Sequence, residues 1–168
     1  MPTRHVVSLR CARPNQKELL RNLMQLYLYD FSEIEKSRMN AKGLFEYKYL
    51  KYYWTEPKKR FPFLIYVDGK VAGFVLVKTH EMVTCRGEGY EIAEFFVARP
   101  FRRHGVGMKA APQAFDRFRG LWEVSQTEHN RVARRFWRGV IRRYTKGRFR
   151  ETFVRADGQV RPVQAFRN

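Results

Sequence analysis

Cysteine and long apolar runs are scarce in this chain of 168 residues, and each scarcity excludes a class of protein. Two cysteines, Cys11 and Cys85, are too few for a disulfide scaffold, and neither has the Cys/His spacing of a zinc site. No apolar stretch reaches the roughly 18 residues of a membrane-spanning helix, and the N-terminus lacks the apolar run of a signal peptide. We therefore expect a cytoplasmic protein with no metal site.

Basic residues, by contrast, are abundant. The sequence contains 34 Lys and Arg against 16 Asp and Glu, so its formal net charge is +18. Such a charge attracts phosphate-rich cofactors, nucleic acid, ribosomes and acidic protein surfaces, but it says little about the fold. An apolar fraction of 44% supplies a core, and the length fits one domain spanning residues 1–168.

The apolar pattern predicts one α/β sheet with helices on both faces, in the order βαα-ββ-β-α-β-α-ββ. Its clearest part is a hairpin, because Asp68-Gly69 lies between the apolar runs Phe63–Val67 and Val71–Lys78. Pro112 predicts a kink or an early end in the helix that contains it. The remaining predicted strands are Val6–Cys11, Tyr90–Ala98, Leu121–Ser125, Phe149–Arg155 and Val160–Phe166, and the helices are Leu19–Tyr27, Leu44–Trp54, Gly105–Phe118 and Asn130–Tyr144.

A glycine-rich turn links the predicted strand Tyr90–Ala98 to the helix that follows. The free amides of a first helical turn, together with the helix dipole, favour an anion, and Gly105 and Gly107 let an oxygen-rich group approach the backbone. The P-loop pattern is absent and the dinucleotide pattern GxGxxG is incomplete. The turn therefore indicates a pyrophosphate site, with an ordinary strand–helix turn as the alternative.

Two segments around this turn carry a family resemblance. The segment 95–107, FFVARPFRRHGVG, resembles the central motif of the GNAT superfamily of N-acyltransferases, an apolar strand followed by [QR]-x-x-G-x-[GA]. The segment 130–137, NRVARRFW, is similar to the family's second signature, N-x-x-A-x-x-[FL]-Y. The resemblance spans roughly residues 62–144. It implies acetyl-CoA as cosubstrate and a mostly antiparallel sheet that splays between its third and fourth core strands.

The same resemblance implies which residues bind the cofactor. Strand amides would hold the pantetheine arm and the acetyl carbonyl, and the amides of the turn would hold the pyrophosphate. Asn130 would either contact pantetheine or cap its helix. The residues expected to bind the cofactor are Phe95, Phe96, Val97, Arg102, Arg103, His104, Gly105, Val106, Gly107, Met108 and Asn130.

Acetylation of an amine needs a base, and the family commonly uses a carboxylate on the central strands. Three glutamates are candidates, with Glu91 preferred over Glu123 and Glu123 over Glu94. Regular alternation places Glu91 and Glu94 on opposite faces of their strand, and a β-bulge would reverse that assignment. In so basic a chain, each glutamate could instead simply pair with an arginine.

The usual acid of the family, a tyrosine, is replaced here by Trp137. Because an indole cannot protonate a thiolate, three interpretations stay open. Tyr144 replaces the tyrosine, water supplies the proton, or the protein binds acyl-CoA without fast turnover.

The acceptor and other partners are less defined by the sequence. The aromatic segment Tyr27–Trp54 would wall an amine pocket, and the final strands could pair in a homodimer, as the family suggests. The run from Arg131 to Arg150 is either a solvated helix face or a docking surface for nucleic acid or an acidic protein. We expect an acetyl-CoA-dependent N-acetyltransferase acting on a primary amine of a small molecule or peptide. The alternatives are a slow acyl-CoA-binding or sensing domain and a basic RNA- or ribosome-associated module.

Overall fold

Seven strands form one mixed sheet in the computed structural model, which describes residues 5–156 and 158–168. The strand order is β1-β2-β3-β4-β5-β7-β6, and only β4 and β5 run parallel. This architecture confirms the predicted α/β fold. The strands are β1 Val7–Cys11, β2 Arg60–Val67, β3 Lys70–Glu81, β4 Glu88–Val97, β5 Leu121–Ser125, β6 Arg150–Ala156 and β7 Gln159–Arg167; the helices are α1 Lys17–Glu35, α2 Tyr52–Thr55, α3 Val106–Phe115 and α4 Arg131–Thr145.

The predicted hairpin is confirmed as the connection between β2 and β3. Val67 pairs with Lys70 across a two-residue turn. Asp68 and Gly69 both have positive φ angles, 50° and 78°, as such a turn requires. The segment 156–159, between the last two predicted strands, contains Asp157, which lies outside the described residues. Ala156 and Gln159 pair on either side of it.

The predicted helix over residues 44–54 is wrong except for its last residues, because only Tyr52–Thr55 form a helix. Gln25 of α1 explains the difference. Its side-chain amide donates to the carbonyl of Phe45, and its carbonyl accepts from the amide of Phe45, both at 2.9 Å. With its backbone groups occupied in this way, Phe45 cannot contribute to a helical hydrogen-bond ladder.

Helix α3 passes through Pro112 and ends at Phe115, three residues before the predicted end. The amide of Asp116 still reaches the carbonyl of Pro112 at 2.9 Å, so the proline does not end the helix directly. The next amides, of Arg117 and Phe118, bond three residues back instead of four, which tightens the chain into a turn.

The two faces of the sheet carry separate apolar cores. Helices α3 and α4 cover one face through residues such as Phe115 and Trp137, and α1 and α2 cover the other through Leu20, Met24 and Tyr53. Val132, in the first turn of α4, is 80% exposed and lies outside both cores. Within residues 5–156 and 158–168, no helix has the length and hydropathy needed to cross a bilayer.

The sheet opens between β4 and β5. These strands pair at only two positions, Tyr90 with Trp122 and Glu91 with Glu123, and then diverge. Counted from β2, β4 and β5 are the third and fourth core strands. The splay between them confirms the predicted opening. Backbone amides on the β5 side of β4 beyond Glu91 therefore face a cleft instead of a neighbouring strand.

Candidate active site

A β-bulge on β4 decides where its glutamates point. Leu76 of β3 pairs with Glu94, but the next residue, Val77, pairs with Ile92, so Ala93 is extra. Of the two alternatives for this strand, the β-bulge is confirmed and regular alternation is wrong. Glu91 and Glu94 lie on the same side of the strand, and both line one cavity.

Glu94 is buried beside tyrosines. The Tyr27 hydroxyl of α1 donates to Glu94 Oε2 at 2.5 Å. Burial raises the pKa of Glu94, and hydrogen bonds from Tyr27 and Tyr47 only partly oppose this shift. Burial also raises the pKa of both tyrosines, so their hydroxyls stay protonated donors.

Glu91 has a different environment, made of a lysine, a histidine and a hydroxyl. Its Oε2 lies 3.1 Å from Lys78 Nζ, without the alignment of a hydrogen bond, and 3.4 Å from His80 Nδ1. Across the opening, the Ser125 hydroxyl donates weakly to Glu91 Oε1 at 3.5 Å. The glutamate side chain is 16% exposed, so it is held in place but can be reached from the cavity.

Glu123 of β5 is fully occupied by donors. It accepts from the amides of Val83 and Thr84, from the Thr84 hydroxyl and from His80 Nε2, at distances of 2.6 to 3.1 Å. Burial opposes its ionisation, but the hydrogen bonds from Thr84 and Val83 outweigh burial and lower the pKa of Glu123. This carboxylate fastens the β3–β4 connection to β5, and His80 links it to Glu91.

The cavity around Glu91 and Glu94 has a volume of about 630 Å³. Part of the predicted aromatic wall lines it, namely Tyr27, Phe31, Tyr47, Tyr49 and Tyr53, whereas Tyr29 is 63% exposed elsewhere. The remaining lining includes polar residues that sequence reasoning missed, because they come from distant parts of the chain and carry no motif. These are Arg60, Lys78, Gln126, Thr127 and Arg161.

A second cavity, of about 690 Å³, lies at the glycine-rich turn. Gly105 precedes α3 with a φ of 72°, and no atom lies within 4 Å of where a Cβ would project from it. The first amide satisfied within the helix is that of Lys109, which donates to Gly105 at 3.1 Å. The amides of residues 106–108 thus lie in the unsatisfied first turn, and the arrangement fits an anionic phosphate group.

Gly107 is needed for packing. A Cβ there would lie 2.9 Å from Cζ of Phe136, a residue of α4. The Phe136 ring is itself held between Phe95 and Trp137, with ring centroids 5.6 and 5.1 Å away. Gly107 therefore lets the first turn of α3 approach α4 closely.

Two arginines of the turn share Asp30 as a partner. Arg102 bonds to Asp30 of α1 and donates to the carbonyl of Val97 at 2.6 Å, while Arg99 donates to Asp30 at 2.7 Å. Asp30 thus ties α1 to the turn. Except for His104, which is exposed and lies 6.0 Å from the ring of His5, all the predicted cofactor residues line the second cavity.

The second signature lies where the two cavities meet. Asn130 caps α4 by accepting from the amide of Ala133 at 3.0 Å, and Trp137 is buried against Phe95. Tyr144 is about 16 Å further along α4 than Ala133, and its hydroxyl donates to Asp116 at 2.7 Å. The residues that line both cavities are Tyr27, Phe31, Phe95, Asn130, Ala133 and Trp137.

The splayed sheet thus has a glycine turn at one end of its opening and carboxylates at the other. The model of the acetyltransferase (GNAT) family matches residues 20–140, and the chain belongs to this family. It is therefore an N-acetyltransferase, and members of this family use acetyl-CoA. No curated protein sequence matches the chain.

Solved structures show the same fold at low sequence identity. A GNAT-family acetyltransferase from Streptococcus agalactiae has a TM-score of 0.70 and 12% identity, with 96% of this chain and 95% of that chain covered. The ribosomal-protein-S18-alanine N-acetyltransferase of Escherichia coli has a TM-score of 0.58 and 13% identity, with 96% and 94% covered. Naa50 of Arabidopsis thaliana, in complex with the bisubstrate analogue CoA-Ac-MVNAL, has a TM-score of 0.58 and 16% identity, with 96% and 99% covered.

Proposed function

We propose that this chain, acting as one domain over residues 1–168, transfers an acetyl group from acetyl-CoA to a primary amine. The amine belongs to a small molecule or to a peptide or protein, and it attacks directly in a ternary complex. The observation that carries the proposal is the meeting of two cavities at the splay, one with phosphate-binding geometry and one with carboxylates.

The turn and the open edge of β4 hold the cofactor in the second cavity, which we call the cofactor cavity. Amides of residues 103–108 bind the pyrophosphate, and the basic side chains of Arg102 and Arg103 add positive charge. Amides of residues 95–97 orient the pantetheine arm and the acetyl oxygen. Acetyl-CoA supplies the acetyl group as a reactive thioester.

Glu91 is the base in this proposal. It is reachable from the cavity around Glu91 and Glu94, which we call the acceptor cavity, and Lys78 Nζ and His80 Nδ1 lie 3.1 and 3.4 Å from its carboxylate. It takes a proton from the acceptor ammonium, either directly or through a water, so that a neutral amine can attack. Glu94 and its tyrosines shape the pocket and accept from the amine, while Glu123 is structural because its acceptor positions are occupied.

The departing thiolate receives its proton from solvent. Tyr144 points to Asp116 at the far end of α4, so it is a packing residue in this proposal. Trp137 closes the junction of the cavities without any group that titrates near neutral pH. A thiolate is a good leaving group, so water is adequate as the acid.

The test measures acetyl-CoA binding by thermal shift and CoA release with a panel of amines. Gly105→Glu places a carboxylate at the phosphate site, and we expect it to lose stabilisation by acetyl-CoA. Gly147→Glu is the matched control, because Gly147 also has a positive φ, 84°, with open space around it, beyond the C-terminal end of α4. Absence of stabilisation of the unmodified chain at millimolar acetyl-CoA would overturn the proposal.

A further inference from the structure

A third cavity, which we call the arginine groove, lies between α4 and the outer strands. Its volume is about 730 Å³. The cofactor cavity uses a different side of α4, with Val132, Ala133 and Phe136, so the two are separate features. The groove is lined by Glu128, Arg131, Arg134, Arg135, Arg138, Gly139, Arg142, Phe153 and Pro162.

Three cations of the arginine groove are available to a ligand. Arg131, Arg135 and Arg142 are exposed and form no ion pair within the described part of the chain. They span about 16 Å along one helix face. Guanidinium groups keep their charge at any physiological pH and bind phosphate through paired hydrogen bonds, so this row suits an extended phosphate chain.

The floor of the groove is an aromatic ring held in place by an arginine. Arg134 bonds to Glu151 at 2.5 Å, and its guanidinium lies 4.8 Å from the centroid of the Phe153 ring. Phe153 is nevertheless 55% exposed. An exposed aromatic ring beside a row of cations is the combination on which single-stranded nucleic acids stack their bases.

Gly139 keeps the middle of the groove open. Glycine weakens a helix interior, so its presence in α4 requires a reason. Packing does not supply one, because no atom lies within 4 Å of where its Cβ would be. A side chain at this position would instead project among the arginines that line the groove.

We propose that the arginine groove binds a single-stranded nucleic acid, with its phosphates along the α4 arginines and a base on Phe153. An acidic peptide would match the arginines but would not use the exposed ring. The proposal is independent of the acetyl-transfer reaction, because the groove is built from a different face of α4.

The experiment follows the fluorescence anisotropy of a labelled oligoadenylate of about 12 nucleotides, a length within the usual site size. The test variant combines Arg131→Gln, Arg135→Gln and Arg142→Gln. Its control combines Lys58→Gln, Lys59→Gln and Arg86→Gln, which removes the same charge at exposed positions elsewhere. We expect the groove variant alone to lower the slope of log affinity against log salt by about 2, since each lost phosphate contact removes about 0.7.

Two further variants separate stacking and shape from charge. Phe153→Ala should weaken binding about fivefold or more, whereas Phe153→Tyr should retain it. Gly139→Gln should weaken binding without altering the charge. Equal losses in the groove variant and its control would overturn the proposal, as would displacement of the oligonucleotide by saturating acetyl-CoA. Competition by polyglutamate equal to that by unlabelled oligoadenylate would also overturn it and would assign the groove to an acidic protein.

Discussion

The hydroxyl of Tyr27 on α1 donates a 2.5 Å hydrogen bond to Glu94 Oε2 on β4, at the residue that follows the bulge. The bond joins the first helix to the strand that carries the acid pair of the acceptor cavity. It also places a carboxylate in a buried environment, where ionisation costs free energy.

The raised pKa of Glu94 gives a stability prediction. Because burial raises this pKa above its ordinary value of 4.5, the folded chain binds the proton more tightly than the unfolded chain does. The contribution of Glu94 to stability is therefore fully present below that value and is lost as pH rises through the raised pKa. Glu94→Gln keeps an acceptor for Tyr27 but does not titrate, so its free energy of unfolding should decline less between about pH 4 and pH 8. Urea unfolding of the unmodified chain and of Glu94→Gln across this pH range tests the prediction. Parallel curves of unfolding free energy against pH would contradict it.

Glu91 should control the chemical step. Glu91→Gln is isosteric but cannot accept a proton, so we expect kcat to fall by about a hundredfold or more. Glu94→Gln should affect KM for the amine more than kcat, because Glu94 contacts the acceptor without taking its proton. Steady-state kinetics with one amine at saturating acetyl-CoA separates the two. The reverse pattern would make Glu94 the base.

Glu123 should act on stability in the opposite direction to Glu94. Hydrogen bonds hold its pKa below the ordinary value, so its stabilisation is present above that value and is lost as pH falls through the lowered pKa. Glu123→Gln leaves buried donors of the β3–β4 connection without a charged acceptor and should cost about 1–3 kcal/mol at neutral pH. The cost should shrink in acid. A variant with unchanged stability at neutral pH would show that these hydrogen bonds add nothing to folding.

The contact of Gly107 with Phe136 can be tested by rescue. Gly107→Ala brings a methyl group to 2.9 Å from a ring that cannot move freely, so we expect a loss of about 1–3 kcal/mol. Phe136→Leu removes the obstructing ring atoms. In that background Gly107→Ala should cost much less, and a double-mutant cycle of unfolding free energies measures the difference. Additive effects would mean that the glycine is required for another reason.

Local chemistry made part of this fold predictable. Asp68-Gly69 allows the positive φ angles of a two-residue turn, and Asn130 caps α4. The hairpin and the start of α4 can therefore be predicted from a few adjacent residues. The phosphate-binding geometry at Gly105 is equally local. Each of these features depends on a few consecutive residues, whose preferences hold in any context.

The remaining features depend on distant contacts. The helix predicted over residues 44–54 does not form because the side chain of Gln25, twenty positions before Phe45, bonds to the backbone of Phe45. The bulge at Ala93 leaves no trace in the pattern of apolar and acidic residues, and it alone brings Glu91 and Glu94 to one side. The donors to Glu123 are equally hidden from the sequence, because two of them are the backbone amides of Val83 and Thr84, which no side-chain motif reveals.

The bulge at Ala93 also divides β4 into two parts that can vary separately. Upstream of it, Tyr90 and Glu91 pair with β5 and Glu91 lines the acceptor cavity, and downstream, residues 95–97 lead directly into the cofactor turn. New acceptor specificity can therefore arise at Glu91, at Glu94 and at the tyrosines that line the acceptor cavity but not the cofactor cavity, while residues 95–108 stay unchanged. An engineer seeking a different amine would randomise these positions and leave α1 unchanged, because α1 also lines the cofactor cavity and holds the turn through Asp30.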